Sequence, residues 1–339
     1  MRTDEAWVAD SIDELLEGAT DRTPVRTGDA KSGATFERLR IDGEPHFLKV
    51  LSPESDWIMR CTRNTTHFEL QAWRAGLYAA APAEIDHAMV GMALEHDDAG
   101  SRLAMLMHDR AADLVPEGDA PLPVAQHAAF IGHLAAFHAA YLGWTDTIGL
   151  EDMGQRFLFF STENVAAELA IAAAHGVDPP GPIAVAAEGW ARLGERAPAL
   201  DDLIRSVHAD PGQVVTALAD TPRTFVAGDW KLGNLGQRTD GRTVLLDWAY
   251  PGEAPPCWEL AWYLALNRSR IPQSKEATIG AYRTALESRG VDTSEWFERQ
   301  LGLCLLGIMG TFAWEKAVGP EAELRWWEAA ALAGASWLT

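Results

Sequence analysis

Three oxygen-bearing side chains occur within one short stretch of the sequence, residues 225–248. Asp229 follows a short apolar run and Gly228, which predicts an exposed aspartate on a sharply bent loop. Asn234 follows five residues later, and a second apolar run ends at Asp247. Phosphoryl transfer uses such a set, because a carboxylate orients the attacking hydroxyl while amide and carboxylate oxygens hold Mg²⁺ against the phosphates. We therefore expect the three side chains to converge at one hairpin that handles a phosphate.

Lys231 lies two residues after Asp229 and would add a positive charge beside a transferred phosphate. A purely structural alternative uses the same stretch. In that alternative the residues form a β-hairpin with a solvated Asp229 and with Asn234 closing a side-chain turn. The glycines at 233 and 236, together with the aspartate at the end of the second strand, favour the phosphoryl-transfer interpretation.

Lys49 lies in the middle of an apolar run, residues 46–51, that predicts a strand. A lysine among apolar neighbours needs a partner, because burying an unpaired ammonium group is costly. The amphipathic helix that opens at Phe68 offers Glu69, whereas Glu54 lies just past the strand and is the poorer candidate. The alternative is an edge-strand lysine with a solvated Glu69.

Strand and helix patterns divide the chain into two parts. The predicted strands cover 35–41, 46–51, 88–95 and 102–107. From Pro123 onward the pattern is helical, and a further helix is predicted over 5–17, where apolar side chains recur with helical spacing opposite acids. We expect the boundary between the two parts near Asp109.

The sequence Ala-Gly-Asp-Trp-Lys-Leu-Gly-Asn at 227–234, with Asp-Trp at 247–248, resembles the catalytic and metal-binding loops of the aminoglycoside phosphotransferase family. Choline kinases and the eukaryotic protein kinases are its wider relatives. The resemblance covers nearly the whole chain and implies an α+β, bilobal, protein-kinase-like fold. It implies a small nucleotide-binding lobe over 1–109, a β-sheet with a helix, and a large, mainly helical lobe over 110–339 that carries the catalytic and metal loops. The family usually has His-Gly-Asp, whereas Ala227 stands here in the histidine's place, so one brace of that loop is missing.

The resemblance also implies an ATP- and Mg²⁺-dependent phosphotransferase that acts on a hydroxyl of a small molecule. Asp229 and Lys231 would be the catalytic residues, and Asn234 and Asp247 the metal ligands. The nucleotide would be held by Lys31 and Ser32 of a glycine-bearing loop, by Lys49 with its partner Glu69, and by the hinge residues Met107 and Asp109. Glu259, where the family commonly has an aspartate, would brace the catalytic loop from behind.

The acceptor pocket of that family lies beside the catalytic aspartate, walled by the helical lobe and by the segment after the metal loop. The aromatic and acidic candidates for this wall are Trp248, Glu253, Trp258, Trp314 and Glu315. Aromatic faces beside carboxylates suit a polyol that carries an ammonium group. We therefore expect an amino sugar or an aminoglycoside-like acceptor over a neutral sugar or an amino alcohol. Helix packing with solvated glutamates explains each of these residues equally well.

Composition narrows the classes of function. A chain of 339 residues exceeds the size of one hydrophobic core, which agrees with two lobes. The net charge of −21 opposes binding to nucleic acid or to an anionic membrane and favours a cationic substrate at long range. Three widely spaced cysteines, an N-terminus without a signal pattern and the lack of a membrane-length apolar run predict a cytoplasmic protein.

Two other functions stay open at this stage. Ala227 fits a nucleotide-binding pseudokinase that acts as a regulatory module, although Asp229, Asn234, Asp247 and Lys49 are all intact. A kinase fold that transfers the nucleotide instead of the phosphate would need the nucleotide inverted in its cleft. Phosphate transfer and the mass of the product separate these functions from a kinase.

Overall fold

The structure is a computed structural model that describes residues 6–25, 32–98 and 100–338. Its contacts group into two compact units. The first unit comprises the described residues up to Ala120, together with Thr147–Leu150 and Ala227–Pro251, and the second unit comprises the remainder. The hairpin that carries Asp229 and Asp247 therefore groups with the N-terminal unit, while the division into lobes at 1–109 and 110–339 stays a prediction.

The secondary structure confirms the predicted α+β class. The strands of the described residues are β1 Val8–Ala9, β2 Thr20–Val25, β3 Thr35–Ile41, β4 Glu44–Leu51, β5 Ile85–Asp86, β6 Met89–Asp97, β7 Gly100–His108, β8 Thr224–Val226, β9 Leu235–Gln237, β10 Thr243–Leu245 and β11 Gly252–Ala254. The α-helices are α1 Ile12–Leu15, α2 Trp57–Cys61, α3 Phe68–Arg74, α4 Val124–Ala140, α5 Met153–Leu158, α6 Thr162–His175, α7 Gly181–Arg196, α8 Pro198–Ala209, α9 Gly212–Leu218, α10 Pro256–Asn267, α11 Lys275–Glu287, α12 Phe297–Val318 and α13 Glu321–Ala335. The first unit holds most of the strands with α1–α3, and the second unit is helical apart from β8 and β11.

The main sheet of the first unit has the strand order β1-β6-β7-β4-β3-β2. β4 is an interior strand, in which Lys49 lies opposite Phe36 of β3 and Met105 of β7. Its neighbour Leu48 belongs to the apolar core that the sheet forms with α1. Because side chains alternate along a strand, Lys49 lies on the other face of the sheet. The alternative of an edge-strand lysine is therefore excluded.

The predicted helix over 5–17 is wrong. The chain instead forms β1, which pairs in parallel with β6, and then the single helical turn α1. Trp7 decides the outcome: its ring packs against Gly91, and its carbonyl oxygen accepts hydrogen bonds from the indole N–H of Trp73 at 2.9 Å and the N–H of Met92 at 3.1 Å. Ser11 then caps α1, so the helix begins only where the extended pairing ends.

Helix α12 is the central helix of the second unit. Among the helices that the structure describes, only α12 is long and apolar enough to cross a membrane. However, 83% of its most apolar 18-residue segment is buried inside the protein. It packs along α7, α10 and α13, and Phe157 of α5 lies over Gly307, where a Cβ would be 2.3 Å from the ring. Such burial is typical of a core helix.

Candidate active site

Backbone packing shapes the loop that carries Asp229. Gly228 has φ +92°, and a Cβ at this position would lie 2.2 Å from the carbonyl oxygen of Tyr250. Only glycine permits both the left-handed conformation and this approach. The N–H of Tyr250 donates in turn to the carbonyl of Ala227 at 3.3 Å. The loop therefore bends immediately before Asp229, as the sequence predicts.

The carboxylate of Asp229 is 2% exposed, so the predicted exposed position is wrong. Its Oδ2 atom accepts a hydrogen bond from the amide nitrogen of Asn234 at 2.8 Å and pairs with Nζ of Lys231 at 2.8 Å. The same amide nitrogen also donates to the carbonyl of Asp229 at 3.1 Å. Two neighbours of its own loop thus cover Asp229 and fix its direction.

A short hairpin joins Asn234 to Asp247. β9 and β10 are antiparallel, with Leu235 opposite Leu245, and the N–H of Leu246 donates to the carbonyl of Asn234 at 2.9 Å. β10 also pairs with β5, where Asp86 holds Arg238 at 2.7 Å. The hairpin is therefore anchored to β5 both by strand pairing and by an ion pair.

Lys49 and Asp247 form the central ion pair of the site. Nζ of Lys49 lies 2.6 Å from Oδ1 of Asp247, and the two side chains are 10% and 32% exposed. Burial alone would lower the pKa of Lys49, but the charge of Asp247 and its hydrogen bond raise it. Burial likewise opposes ionisation of Asp247, yet the charge of Lys49 lowers the pKa of that carboxyl. Both groups are therefore charged at neutral pH.

The predicted partner of Lys49 needs a correction. In the described part of the chain the ion pair of Lys49 is with Asp247, whose backbone is left-handed, at φ 54°. Glu69 is 2% exposed and accepts a hydrogen bond at 3.0 Å from the amide of Asn64. Burial raises the pKa of Glu69 to about 7, although the charge of Lys49 acts in the opposite direction. Glu69 is thus a buried acid in the field of Lys49.

Asp56, the N-cap of α2, is a second buried acid near Lys49. Burial raises the pKa of Asp56, and the charge of Lys49 opposes the change. Sequence reasoning missed both Asp56 and Asn64. The available signal for Asp56 was its residue type immediately before a helix, since its carboxylate accepts from the N–H of Ile58 at 2.8 Å. Asn64 gave no such signal, because α3 begins four residues later, at Phe68, whose N–H donates to the amide oxygen of Asn64 at 2.8 Å.

Predicted nucleotide contacts fall partly outside the described residues, because Lys31 is not among them. Ser32 accepts a hydrogen bond from the N–H of Ala34 at 3.3 Å. At the hinge, the N–H of Asp109 donates to the carbonyl of Pro45 at 3.1 Å, and Met107 is buried in β7. The roles of Lys31, Ser32, Met107 and Asp109 in holding a nucleotide stay predictions.

The three tryptophans predicted to line the acceptor pocket are core residues. Trp248 is 1% exposed and stacks on Tyr78 with ring centroids 4.0 Å apart, while Trp258 is 0% exposed and packs on Phe157. The indole N–H of Trp314 donates to the carbonyl of Thr311 at 2.8 Å. The observed contacts of the three tryptophans are packing contacts, and their roles at the acceptor stay predictions.

The two predicted acceptor glutamates also have internal partners. Glu253 pairs with Arg223 at 2.8 Å and accepts from the N–H of Asp146 at 2.7 Å. Glu315 pairs with Lys316 at 2.9 Å and with Arg268. The structure therefore favours the packing explanation for these glutamates over recognition of an ammonium group.

Glu259 lies in a buried polar chain of the second unit. It is 0% exposed, and its Oε2 atom is 2.8 Å from Nε2 of His138. Nδ1 of His138 is 2.6 Å from the hydroxyl of Tyr282, and the carbonyl of His138 accepts from Thr224 of β8 at 2.8 Å. Glu259 thus has structural contacts next to the strand that leads into Asp229, and its bracing of the catalytic loop itself stays a prediction.

The oxygen ligands of the hairpin fit Mg²⁺. Because the amide nitrogen of Asn234 points at Asp229, its amide oxygen points away and is available as a ligand. Asp247 offers the oxygen that Lys49 does not occupy. The described residues contain no group of three or more His, Cys, Asp or Glu that would cage a metal. Mg²⁺ commonly takes one or two protein ligands and completes its shell with phosphate oxygens and water, so two ligands are sufficient.

No protein-family model matches the sequence, and no curated protein is similar to it in sequence. Its fold, in contrast, is similar to solved structures. The structure of the microcompartment-associated aminopropanol kinase matches with a TM-score of 0.51 at 10% identity, over 93% of this chain and 90% of that chain. Choline kinase LicA from Streptococcus pneumoniae matches with a TM-score of 0.50 at 13% identity, over 96% of this chain and 98% of that chain. The structure of LicA in complex with AMP matches with the same TM-score and identity. The fold of the chain is therefore that of the kinases of small molecules, as its loop sequences predict.

Proposed function

We propose that this protein is an ATP- and Mg²⁺-dependent phosphotransferase that phosphorylates a hydroxyl group of a small molecule. The observation that carries the proposal is the arrangement of Asp229, with Asn234 and Lys231 each 2.8 Å from its Oδ2 atom. The Lys49–Asp247 ion pair belongs to the same unit. Phosphoryl transfer depends on positioning and charge, and these groups supply both.

In this mechanism Asp229 accepts a hydrogen bond from the acceptor hydroxyl and orients its oxygen for attack. Lys231 is near enough to neutralise charge that develops on the transferred phosphate. Asn234 and Asp247 would hold Mg²⁺, which would supply positive charge to stabilise the phosphates. Because Asn234 also bonds Asp229, it links the metal ligands to the catalytic carboxylate.

Lys49 has the second role, as a clamp for the phosphates. Its ammonium group is 10% exposed and fixed beside Asp247, so it is held in place before a nucleotide arrives. Binding of the phosphates would draw Lys49 from Asp247 toward the nucleotide. Glu69, whose charge acts on Lys49, is the acid that would then balance the ammonium group.

The acceptor in this proposal carries an amine. The two proteins of similar fold are named as kinases of aminopropanol and of choline, which are both amino alcohols. The net charge of −21 favours a cationic substrate at long range. These names support testing amino alcohols together with amino sugars and aminoglycosides, although the sequence favours the latter two.

A variant of the catalytic carboxylate tests the chemistry. Asp229→Asn should bind Mg·ATP nearly as tightly as the wild type but lose about 10²- to 10⁴-fold in kcat, the usual contribution of a positioned acid or base. Asp119→Asn, which removes one carboxylate from the surface, is the matched control and should keep full activity. A near-normal kcat in Asp229→Asn would sink the assignment.

A substrate panel tests the acceptor and the two other functions. ATP consumption would be measured over amino alcohols, amino sugars and aminoglycosides, each against a neutral analogue at the same concentration. Turnover of a neutral analogue at the rate of its amine would contradict an amine-bearing acceptor. A pseudokinase would bind nucleotide without turnover, and the product mass separates a phosphate ester from a nucleotidyl adduct.

A further inference from the structure

The connection between α2 and α3 holds an asparagine against the buried acid of the site. Asn64 is 1% exposed, and its backbone N–H donates to the carbonyl of Met59 at 2.8 Å. Arg63 and His67 near it both adopt the left-handed conformation, with φ 55°. Residues other than glycine adopt it at a free-energy cost, so tertiary contacts must hold this connection in place.

Both the oxygen and the nitrogen of the Asn64 side-chain amide form hydrogen bonds within the protein. Its oxygen accepts from the N–H of Phe68 at 2.8 Å and so satisfies the first N–H group of α3, whose N-cap residue is His67. Its nitrogen donates to Oε2 of Glu69 at 3.0 Å. The amide thus connects the first turn of the helix to the carboxylate that the same turn carries. Since Glu69 is 2% exposed, solvent cannot take over this hydrogen bond.

We propose that Asn64 is a positioning residue that fixes the carboxylate of Glu69 as the counter-charge for Lys49 when a nucleotide is bound. The proposal rests on the proposed function, because it needs Lys49 to leave Asp247 for the phosphates. The carboxylate of a glutamate, carried by three rotatable bonds, would otherwise point in several directions. The hydrogen bond from Asn64 restricts it to one of them before the nucleotide arrives.

Asn64→Asp separates the hydrogen bond to Glu69 from the hydrogen bond that Asn64 accepts from the N–H of Phe68. The variant keeps the size of the side chain and an oxygen for the N–H of Phe68, but it replaces the donor to Glu69 with a second carboxylate. We expect about tenfold weaker binding of Mg·ADP by calorimetry and a similar rise in KM for ATP, the lower end of the effect of losing a hydrogen bond to a charged group. If the aspartate variant does not fold, Asn64→Ser takes its place. Serine keeps a side-chain oxygen but is too short to reach Glu69, so the loss of affinity for Mg·ADP should be the same.

Asn267→Asp is the matched control. Asn267 is 5% exposed, and its amide nitrogen donates to the carbonyl of Tyr263 at 2.7 Å in the second unit. This variant should lower the melting temperature and leave the affinity for Mg·ADP unchanged. A tenfold loss of affinity in the control as well would overturn the proposal, because the effect would then follow from destabilisation alone.

A double variant that exchanges the two groups gives the sharpest test. Asn64→Asp with Glu69→Gln restores an amide–carboxylate hydrogen bond in the reverse direction, so the melting temperature should recover. The affinity for Mg·ADP should stay low, because the carboxylate is no longer at position 69. If Asn64→Asp binds Mg·ADP as tightly as the wild type, Asn64 is only structural and the inference fails. If the wild type itself does not bind Mg·ADP, the proposed function fails instead.

Discussion

Glu69→Gln should change the way in which the stability of the protein depends on pH. Burial raises the pKa of Glu69 from its ordinary value of 4.5 to about 7, against the charge of Lys49 and the hydrogen bond from Asn64. The folded protein therefore binds more protons than the unfolded chain between these two values. The free energy of unfolding must then fall as the pH rises through this interval, and the stabilisation from Glu69 is fully present only below about pH 4.5.

The size of the effect follows from the interval between the two pKa values. At about 1.4 kcal/mol for each pH unit, the interval from 4.5 to about 7 corresponds to about 3 kcal/mol, to order of magnitude. The glutamine introduced by Glu69→Gln would not ionise, and its amide oxygen would still accept from Asn64. We therefore expect the variant and the wild type to be similarly stable at pH 5, and the variant to be more stable by up to about 3 kcal/mol at pH 8.

Urea unfolding followed by tryptophan fluorescence from pH 5 to pH 8 measures this difference. Carboxyl groups common to both proteins cancel when wild type and variant are compared at each pH. Glu117→Gln removes an exposed carboxylate and serves as the control, which should follow the wild-type curve. Parallel curves for Glu69→Gln and the wild type across this range would refute the reasoning, because they would mean that Glu69 is ionised without cost in the folded protein.

The remaining predictions concern the metal, the nucleotide and a buried ion pair. Asn234→Ala and Asp247→Ala should both raise the Mg²⁺ concentration needed for half-maximal activity. The rise should be larger for Asp247→Ala, because this variant also removes a charge. A Mg²⁺ titration with unchanged midpoints in both variants would mean that the hairpin is purely structural. Lys49→Ala should weaken ATP binding, measured by calorimetry, and lower turnover; unaltered affinity and rate would end its role as a phosphate clamp. Arg156→Met should lower the free energy of unfolding by about 3–5 kcal/mol, because Arg156 and Glu151 pair at 2.7 Å with 2% exposure each, and the variant removes the counter-charge of a buried carboxylate. The double variant, with methionine in place of both Arg156 and Glu151, should lose less free energy of unfolding than Arg156→Met. A larger loss in the double variant, measured by urea unfolding, would contradict this expectation.

The hairpin that carries Asp229 and Asp247 was predictable because its determinants are local. Gly228 before Asp229, the short apolar strands and the five-residue step to Asn234 are all visible in the sequence, and the observed hydrogen bonds join residues of this stretch. The interior position of Lys49 was also implied by its apolar neighbours. These features need no information about distant parts of the chain.

The errors concern contacts between distant residues. The helix expected over 5–17 does not form, because β1 pairs with β6 and the ring of Trp7 packs against Gly91. The ion pair of Lys49 joins residues 198 positions apart, and nothing in the periodicity of either strand indicates it. The predicted acceptor residues show the same dependence on distant contacts. Tryptophan and glutamate types fit an amine pocket and a packed helical core equally well, and only burial and partners distinguish the two.

Ala227 is compatible with an ordered catalytic loop because backbone contacts provide the support. Ala227 is 0% exposed, and its carbonyl accepts from the N–H of Tyr250 at 3.3 Å. Within the loop, the amide of Asn234 bonds both the carbonyl and the carboxylate of Asp229. A histidine at position 227 would need space that this close packing does not leave without a shift of its neighbours. The departure from His-Gly-Asp is therefore accommodated by local packing, which weakens the one sequence feature that favours a pseudokinase.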